Sequence, residues 1–138
     1  LKAAGIKCDP ENTDIGSAIF AMSPGDGSAR EQAASCQRVL GASANFARSY
    51  ATKRYRSNCI NWGMVPFLIE DPSLIELGDY IFIPDIKAAV LENRDSITAY
   101  AVKKDGSINS FSTSTGSLTP DEREIIADGC LINYYREH

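Results

Sequence analysis

Apolar and polar positions follow two different rhythms along this chain, and the change of rhythm divides it. Ser17-Ala18-Ile19-Phe20-Ala21-Met22 is almost wholly apolar and reads as a buried strand. Gly25-Asp26-Gly27-Ser28 then turns the chain into a helix predicted from about Ala29 to Leu40. Ala29, Ala33, Cys36 and Leu40 fall at helical spacing there, a narrow stripe of mostly small residues suited to packing on a sheet. Gly41 ends the helix. A short strand over Ala44–Ala47 and a second helix from about Tyr50 to Trp62, stopped by Gly63, come next. Strand, helix, strand, helix is the order of parallel β-α-β packing. Met64–Ile69 supplies another strand, which Pro66 places at an end or edge.

Beyond it the rhythm shortens. Tyr80–Ile83 reads as a strand, and Ile97–Val102 and Ile108–Ser112 flank Lys103-Lys104-Asp105-Gly106-Ser107, a hairpin centred on Asp-Gly. Thr119-Pro120-Asp121-Glu122 opens a last helix with a capping threonine, a proline at the first position and a following acid. That helix is expected to run through Ile125, Ile126, Leu131 and Ile132 to near the end. At the other end, Leu1–Gly5 reads as a helix end and Cys8-Asp9-Pro10-Glu11-Asn12 as a polar loop. The fold class is therefore α/β: a small β-α-β core, a β-hairpin and a C-terminal helix, in one domain over residues 1–138.

The bulk numbers narrow the partners. With 43% hydrophobic and 23% charged residues in 138, the chain has an ordinary globular composition. A net charge of −4 argues against a nucleic-acid surface. The basic cluster Lys53, Arg54 and Arg56, interleaved with Tyr50 and Tyr55, reads as a solvated helix face or docking surface. Trp62, Tyr134 and Tyr135 read as packing residues. No apolar run reaches membrane-span length and no signal peptide is visible, so a cytoplasmic protein is expected. Cys8, Cys36, Cys59 and Cys130 form no C-x-x-C pair, and the sole histidine is His138, which argues against a metal site built within this chain. They read as reduced thiols, Cys36 and Cys59 as small core residues and Cys8 as a more exposed one.

The residues with chemistry to offer lie in Gly25-Asp26-Gly27-Ser28-Ala29-Arg30-Glu31. A strand, a glycine turn and a helix start converge free N–H groups and a positive dipole end on one point, a cradle for anions. Arg30 in the first helical turn opposes that dipole, at a cost of a few tenths of a kcal/mol or more. The cost becomes sensible if a carboxylate or phosphate sits between the arginine and the turn. On local pattern alone the same residues read first as a cap: Ser28 as N-cap with Glu31 reaching back, a capping box. The two are compatible.

Once these elements are placed, the chain resembles the aconitase superfamily, specifically its C-terminal swivel domain. The family's turn, G-x-G-S-S-R-[DE]-x-A, appears as Gly25-Asp26-Gly27-Ser28-Ala29-Arg30-Glu31-Gln32-Ala33. An aromatic helix followed by Asn-x-x-x-x-Gly-x-x-Pro appears as Ser49-Tyr50-Ala51, then Asn58 to Gly63 and Pro66. The resemblance implies a swivelling β/β/α domain and hydro-lyase chemistry on a hydroxy di- or tricarboxylic acid. By position it makes Ser28 the catalytic base and Arg30 the residue that binds a substrate carboxylate. Gly27 and Ala29 would add backbone donors to the substrate, Ala29 standing where the family has a second serine.

The resemblance also implies a [4Fe–4S] cluster in the full-length enzyme, with no ligands in this chain, held by other domains of the same protein or by a large subunit. The start at Leu1 reads as a C-terminal fragment of a longer hydratase, inactive in isolation. The small subunit of an isopropylmalate or homoaconitate dehydratase is the enzymatic alternative. A degenerate carboxylate-binding or regulatory module, including an RNA-binding one, is the alternative of another class. The substrate itself is not named by these residues.

Overall fold

In the computed structural model, residues 15–137 are described; the predicted helix end at Leu1–Gly5 and the loop around Cys8 lie outside them. Three strands, β1 (Ser17–Ala21), β2 (Ala42–Ala47) and β3 (Val65–Leu68), form a parallel sheet in the order β1-β2-β3. Helices α1 (Arg30–Val39) and α2 (Lys53–Asn61) make the two crossovers. A 3-10 turn at Pro72–Leu74 leads to an antiparallel sheet of β4 (Tyr80–Phe82), β5 (Ile97–Val102) and β6 (Ile108–Thr113), with α3 (Ile86–Leu91) between its first two strands. Helices α4 (Pro120–Ala127) and α5 (Leu131–Glu137) close the chain.

Successive residues of a strand point to opposite faces of its sheet, and in β2 this separates two environments. Asn45 faces α2, where its amide donates to the Tyr55 hydroxyl (3.1 Å) and the Cys59 sulfur (3.3 Å). Phe46 faces the other way. It stacks on Phe67 of β3 at 4.9 Å between centroids and meets Phe111 of β6 edge-on at 6.5 Å. The main core, with Ile60, Ile69, Val90, Ile97, Leu118 and Ile125, gathers on that side and belongs to both sheets at once. A smaller cluster of Ala34, Ala42, Tyr55, Cys59 and Met64 fills the helix side. Aromatic pairs of this geometry contribute about 0.5–1.5 kcal/mol each beyond the area they bury.

Backbone and charge stitch the two halves together. Leu68 and Ser114 exchange N–H···O bonds as an isolated bridge, and the Thr113 hydroxyl adds a bond to the Leu68 carbonyl at 2.7 Å. Arg56 reaches from α2 to donate to the carbonyls of Thr115 (2.9 Å) and Ser117 (3.0 Å), with Glu122 at 3.8 Å. Gly63 lies against the turn between α4 and α5 so closely that a Cβ there would run into the Gly129 carbonyl. Arg56 is therefore a structural strap, while Lys53 and Arg54 alone form the solvated face.

Several expectations are corrected. The strand at Ser17 is not buried: it is the sheet edge, with Phe20 38% exposed, and the buried central strand is β2. On α1 the expected stripe of Ala29, Ala33, Cys36 and Leu40 faces solvent. The covered face is Arg30, Ala34, Gln37 and Arg38, turned one residue round the helix, because α1 packs beside α2 through Ala34. Cys36 is thus exposed, whereas Cys59 is buried as expected. The terminal helix is broken at Gly129, whose positive φ separates α4 from α5, and Tyr135 is 71% exposed rather than packed. The Asp-Gly hairpin and the Thr119–Glu122 capping box are present as read. Among the described residues no helix is long and apolar enough to cross a membrane.

A cleft of about 400 Å³ between residues 76–79 and 103–105 is occupied by the molecule's own charges. Lys103 Nζ donates to Asp79 Oδ2 at 2.6 Å and to the Leu74 carbonyl at 3.1 Å, and the Glu76 N–H donates to Asp79 at 2.8 Å. These bonds, Lys103 first, hold the Asp79 carboxyl below its ordinary value. A depressed folded-state value gives stability that is present above the unfolded value near ~4 and lost as pH falls through the lower one. Asp79→Asn is accordingly expected to lower the melting temperature at pH 7. The gap to wild type should close as the pH drops below about 4 in a thermal-denaturation series.

Candidate functional site

The loops that follow β1 and β2 leave the sheet at the same end, where the parallel strands point their carbonyl termini and where open α/β sheets bind ligands. They are joined side by side. Ser49 N–H donates to the Met22 carbonyl (3.1 Å) and Ala51 N–H to the Pro24 carbonyl (3.0 Å). Thr52 completes the seam. Its hydroxyl donates to the Gly25 carbonyl (3.3 Å) and accepts from Tyr55 N–H (3.1 Å), so one side chain both caps α2 and holds the glycine turn.

Gly25 is required on two counts. Its φ is +97°, a region that side chains other than glycine's rarely enter, and a Cβ would overlap the Tyr55 ring. Tyr55 is itself pinned, with its hydroxyl 3.1 Å from the Asn45 amide and 3.0 Å from Gln37 Nε2. Burial pushes its ionisation upward, and burial likewise raises the Cys59 thiol to about 11. Tyr50, half-buried beside it, spans the Asn45 and Phe67 carbonyls at 3.3 and 3.1 Å, and its ionisation is pushed up strongly, by desolvation first and Cys59 next.

On this frame sits Arg30, the first residue of α1. Its Nε donates to the Gly25 carbonyl at 3.1 Å. A guanidinium carries five N–H donors in a fixed fork, so this single bond orients the group and leaves its terminal nitrogens for another partner. Ser28 is exposed and does not cap the helix. The N-cap is Ala29, with φ −89° and ψ 44° and no side-chain bond, so the expected capping box of Ser28 and Glu31 is not formed. The helix begins one residue later than the box needs. Gly27 has open space where a Cβ would be, and its φ is not positive, so the fold makes no demand for glycine there.

Gly27, Ala29 and Arg30 border one concavity of about 240 Å³ whose inner wall is Gln37 and Tyr55. Ser28 lies in the same turn. Sequence reasoning missed Thr52 and Gln37. The signal for Thr52 was a β-branched hydroxyl directly before a helix, hidden by starting that helix at Tyr50.

Residues 15–72 match the family model of the aconitase C-terminal domain. The matched stretch runs from the start of β1 to the 3-10 turn and contains both the glycine turn and the Thr52 seam. No curated protein matches the chain. The matched family implies a [4Fe–4S] cluster in its full-length members. The described residues do not fit such a cluster as ligands. Cys59 is buried between α2 and the sheet against Asn45, Cys36 is exposed on α1, and among the described residues no group of three His, Cys, Asp or Glu comes together.

Two outcomes are expected from this geometry. Gly25→Ala should destabilise the chain by at least about 2 kcal/mol, from strain and overlap with Tyr55, in denaturant unfolding. In a Cys8→Ser, Cys130→Ser background, a thiol reagent at pH 8 should modify exposed Cys36 at once and buried Cys59 only on unfolding, since thiolate reacts and thiol does not.

Proposed function

We propose that this chain is the swivel domain of an aconitase-like hydratase, a reading supported by the match of residues 15–72, from the start of β1 to the 3-10 turn, to the model of the aconitase C-terminal domain. In this reading residues 1–138 are one domain of a longer protein, or one subunit of a complex. It works on a hydroxy di- or tricarboxylic acid in company with domains that hold the cluster. The observation that carries the reading is Arg30: a cation at a helix N-terminus, anchored by one nitrogen to Gly25 and otherwise open. That placement is unfavourable for the helix alone and favourable with an anion bound. Two further features support it. Ser28 has no capping work to do, and glycine at position 27 is not needed by the fold, which is what close approach of a ligand to the backbone would require.

The chemistry follows from the residue types. In dehydration the proton beside a carboxylate leaves the carbon, its bonding pair forms the double bond, and hydroxide departs from the neighbouring carbon with a proton to give water. Arg30 holds the carboxylate and draws charge toward itself as that carbon becomes electron-rich. Ser28 Oγ takes the proton. A serine is a poor base, and the helix terminus improves it by at most about 2 kcal/mol, about thirtyfold in its ionisation. The remainder must come from N–H donors at Gly27 to Arg30 and from exclusion of water when the domain closes on its partner. The departing hydroxide needs an acid that these residues do not provide, so the chain alone is expected to be inactive.

The test is dehydration by the full-length protein, loaded with its cluster and offered citrate, isocitrate and isopropylmalate, with the new double bond read by ultraviolet absorbance. Ser28→Ala should lower kcat by about 10²-fold or more while leaving the melting temperature within about 2 °C of wild type, because no cap is lost. Arg30→Lys should raise KM by losing the two-pronged grip on carboxylate. Wild-type turnover in Ser28→Ala would remove the base from this position.

A further inference from the structure

We propose that the open edge of β1, with the apolar corner beside it, is where another domain of the longer protein docks by adding a strand, given the reading above that this chain is one part of a larger hydratase. Three side chains from two parts of the chain make the corner. Ile15 is 96% exposed just before β1, and Val39 and Leu40 are 81% and 84% exposed at the end of α1. The Ser17 N–H donates to the Gly41 carbonyl at 2.9 Å, which brings those two places together. Phe20 and Met22 continue the exposed apolar surface along the strand. Single apolar side chains are ordinary on a protein surface, whereas a contiguous group marks an interface.

The strand beside the corner is undefended. Among the described residues β1 pairs with β2 alone, so a row of its N–H and C=O groups faces outward. Leu68 and Ser114 bridge β3 to the end of β6, which leaves β1 and β4 as the two outermost strands. They are built in opposite ways. β4 is three residues long, with Asp79 before it and Pro84-Asp85 after it, and short length, charge and proline all block further pairing. β1 has five residues and lies in a run from Ile15 to Ser23 that holds neither a charge nor a proline. Such an edge is completed by another backbone, which supplies the missing ladder of hydrogen bonds.

Size and tethering select the occupant. A five-residue strand runs about 17 Å, and the sheet with its helix layer is about 20 Å thick, so an edge contact covers roughly 340 Å². Separate molecules need about 800 Å² on each partner, which a second copy meeting β1 edge to edge does not reach. A domain of the same protein is held at high effective concentration and needs less. The chain enters the fold at this corner, and residues 1–14 can span at most about 50 Å. A domain joined ahead of them therefore stays within reach of β1. The corner lies at the opposite end of β1 from Gly25, so docking there leaves the glycine turn open.

The experiment is hydrogen exchange read by mass spectrometry, on the full-length protein and on residues 1–138. Ser17–Ala21 should exchange about 100-fold more slowly in the full-length protein, while the β4 edge, Tyr80–Phe82, differs by less than about threefold. Val39→Lys with Leu40→Lys should speed exchange of Ser17–Ala21 about tenfold in the full-length protein and leave it within about twofold in residues 1–138. Equal exchange of β1 in the two wild-type proteins, or no effect of the lysines, would overturn the docking edge. Protection already present in residues 1–138 would also overturn it, in favour of a second copy if it grows with concentration and of this chain itself if it does not. Turnover separates the two readings. An active full-length hydratase with unprotected β1 would sink the docking edge alone, and protected β1 in a protein without hydratase turnover would sink the hydratase alone.

Discussion

The Gly25 carbonyl oxygen is the point on which the arrangement turns. Two donors meet it from different elements: Arg30 Nε from the start of α1 and the Thr52 hydroxyl from the cap of α2. The oxygen can be presented to both only because the residue bearing it is glycine, at positive φ, pressed flat against the Tyr55 ring. A main-chain carbonyl with two lone pairs serves as a junction between elements that are remote in sequence. Residues 25, 30, 52 and 55 thereby form one rigid unit, and the guanidinium inherits its orientation from the backbone.

That unit is held in turn by the sheet beneath it. Asn45, 2% exposed, fixes Tyr55 and Cys59 on one face of β2, while its neighbour Phe46 joins Phe67 and Phe111 on the other. The helix layer with the candidate site and the antiparallel half are thus keyed to adjacent residues of one strand. The Leu68–Ser114 bridge and the Arg56 strap bind the same two halves at their margins. The site sits on the matched aconitase segment, and the second half buttresses it without supplying its polar groups.

What was legible in the sequence was what neighbouring residues decide. Asp105-Gly106 sets its own hairpin, and Thr119 and Glu122 bond to each other's backbone, so both could be read from a few letters. The parallel core followed from strand–helix alternation, and the glycine turn from residues with few other uses. What failed depended on distant partners. The face α1 buries is chosen by α2, and with alanines on both sides of the helix the pattern does not say which. Ser28 read as a cap by letter alone, yet the helix starts at Arg30 because the chain is held back at Gly25 by Thr52 and Tyr55. The short α3 carries too few residues to show a period, and Gly129 splits the last helix because it must pass the backbone at Gly63.

If the Gly25 junction is what presents Arg30, then the hydroxyl of Thr52, which touches no ligand, should govern how well an acid is bound. The direct measurement is the citrate affinity of the chain in Thr52→Ser and Thr52→Ala proteins, each checked for native fold by circular dichroism. Serine keeps both the cap and the donor to Gly25, so affinity should stay within about twofold of wild type, whereas alanine, losing about 0.5–1.5 kcal/mol of hydrogen bonding, should weaken it by about three- to tenfold. Equal affinities in folded serine and alanine proteins would contradict the account, leaving Arg30 oriented by something other than this junction.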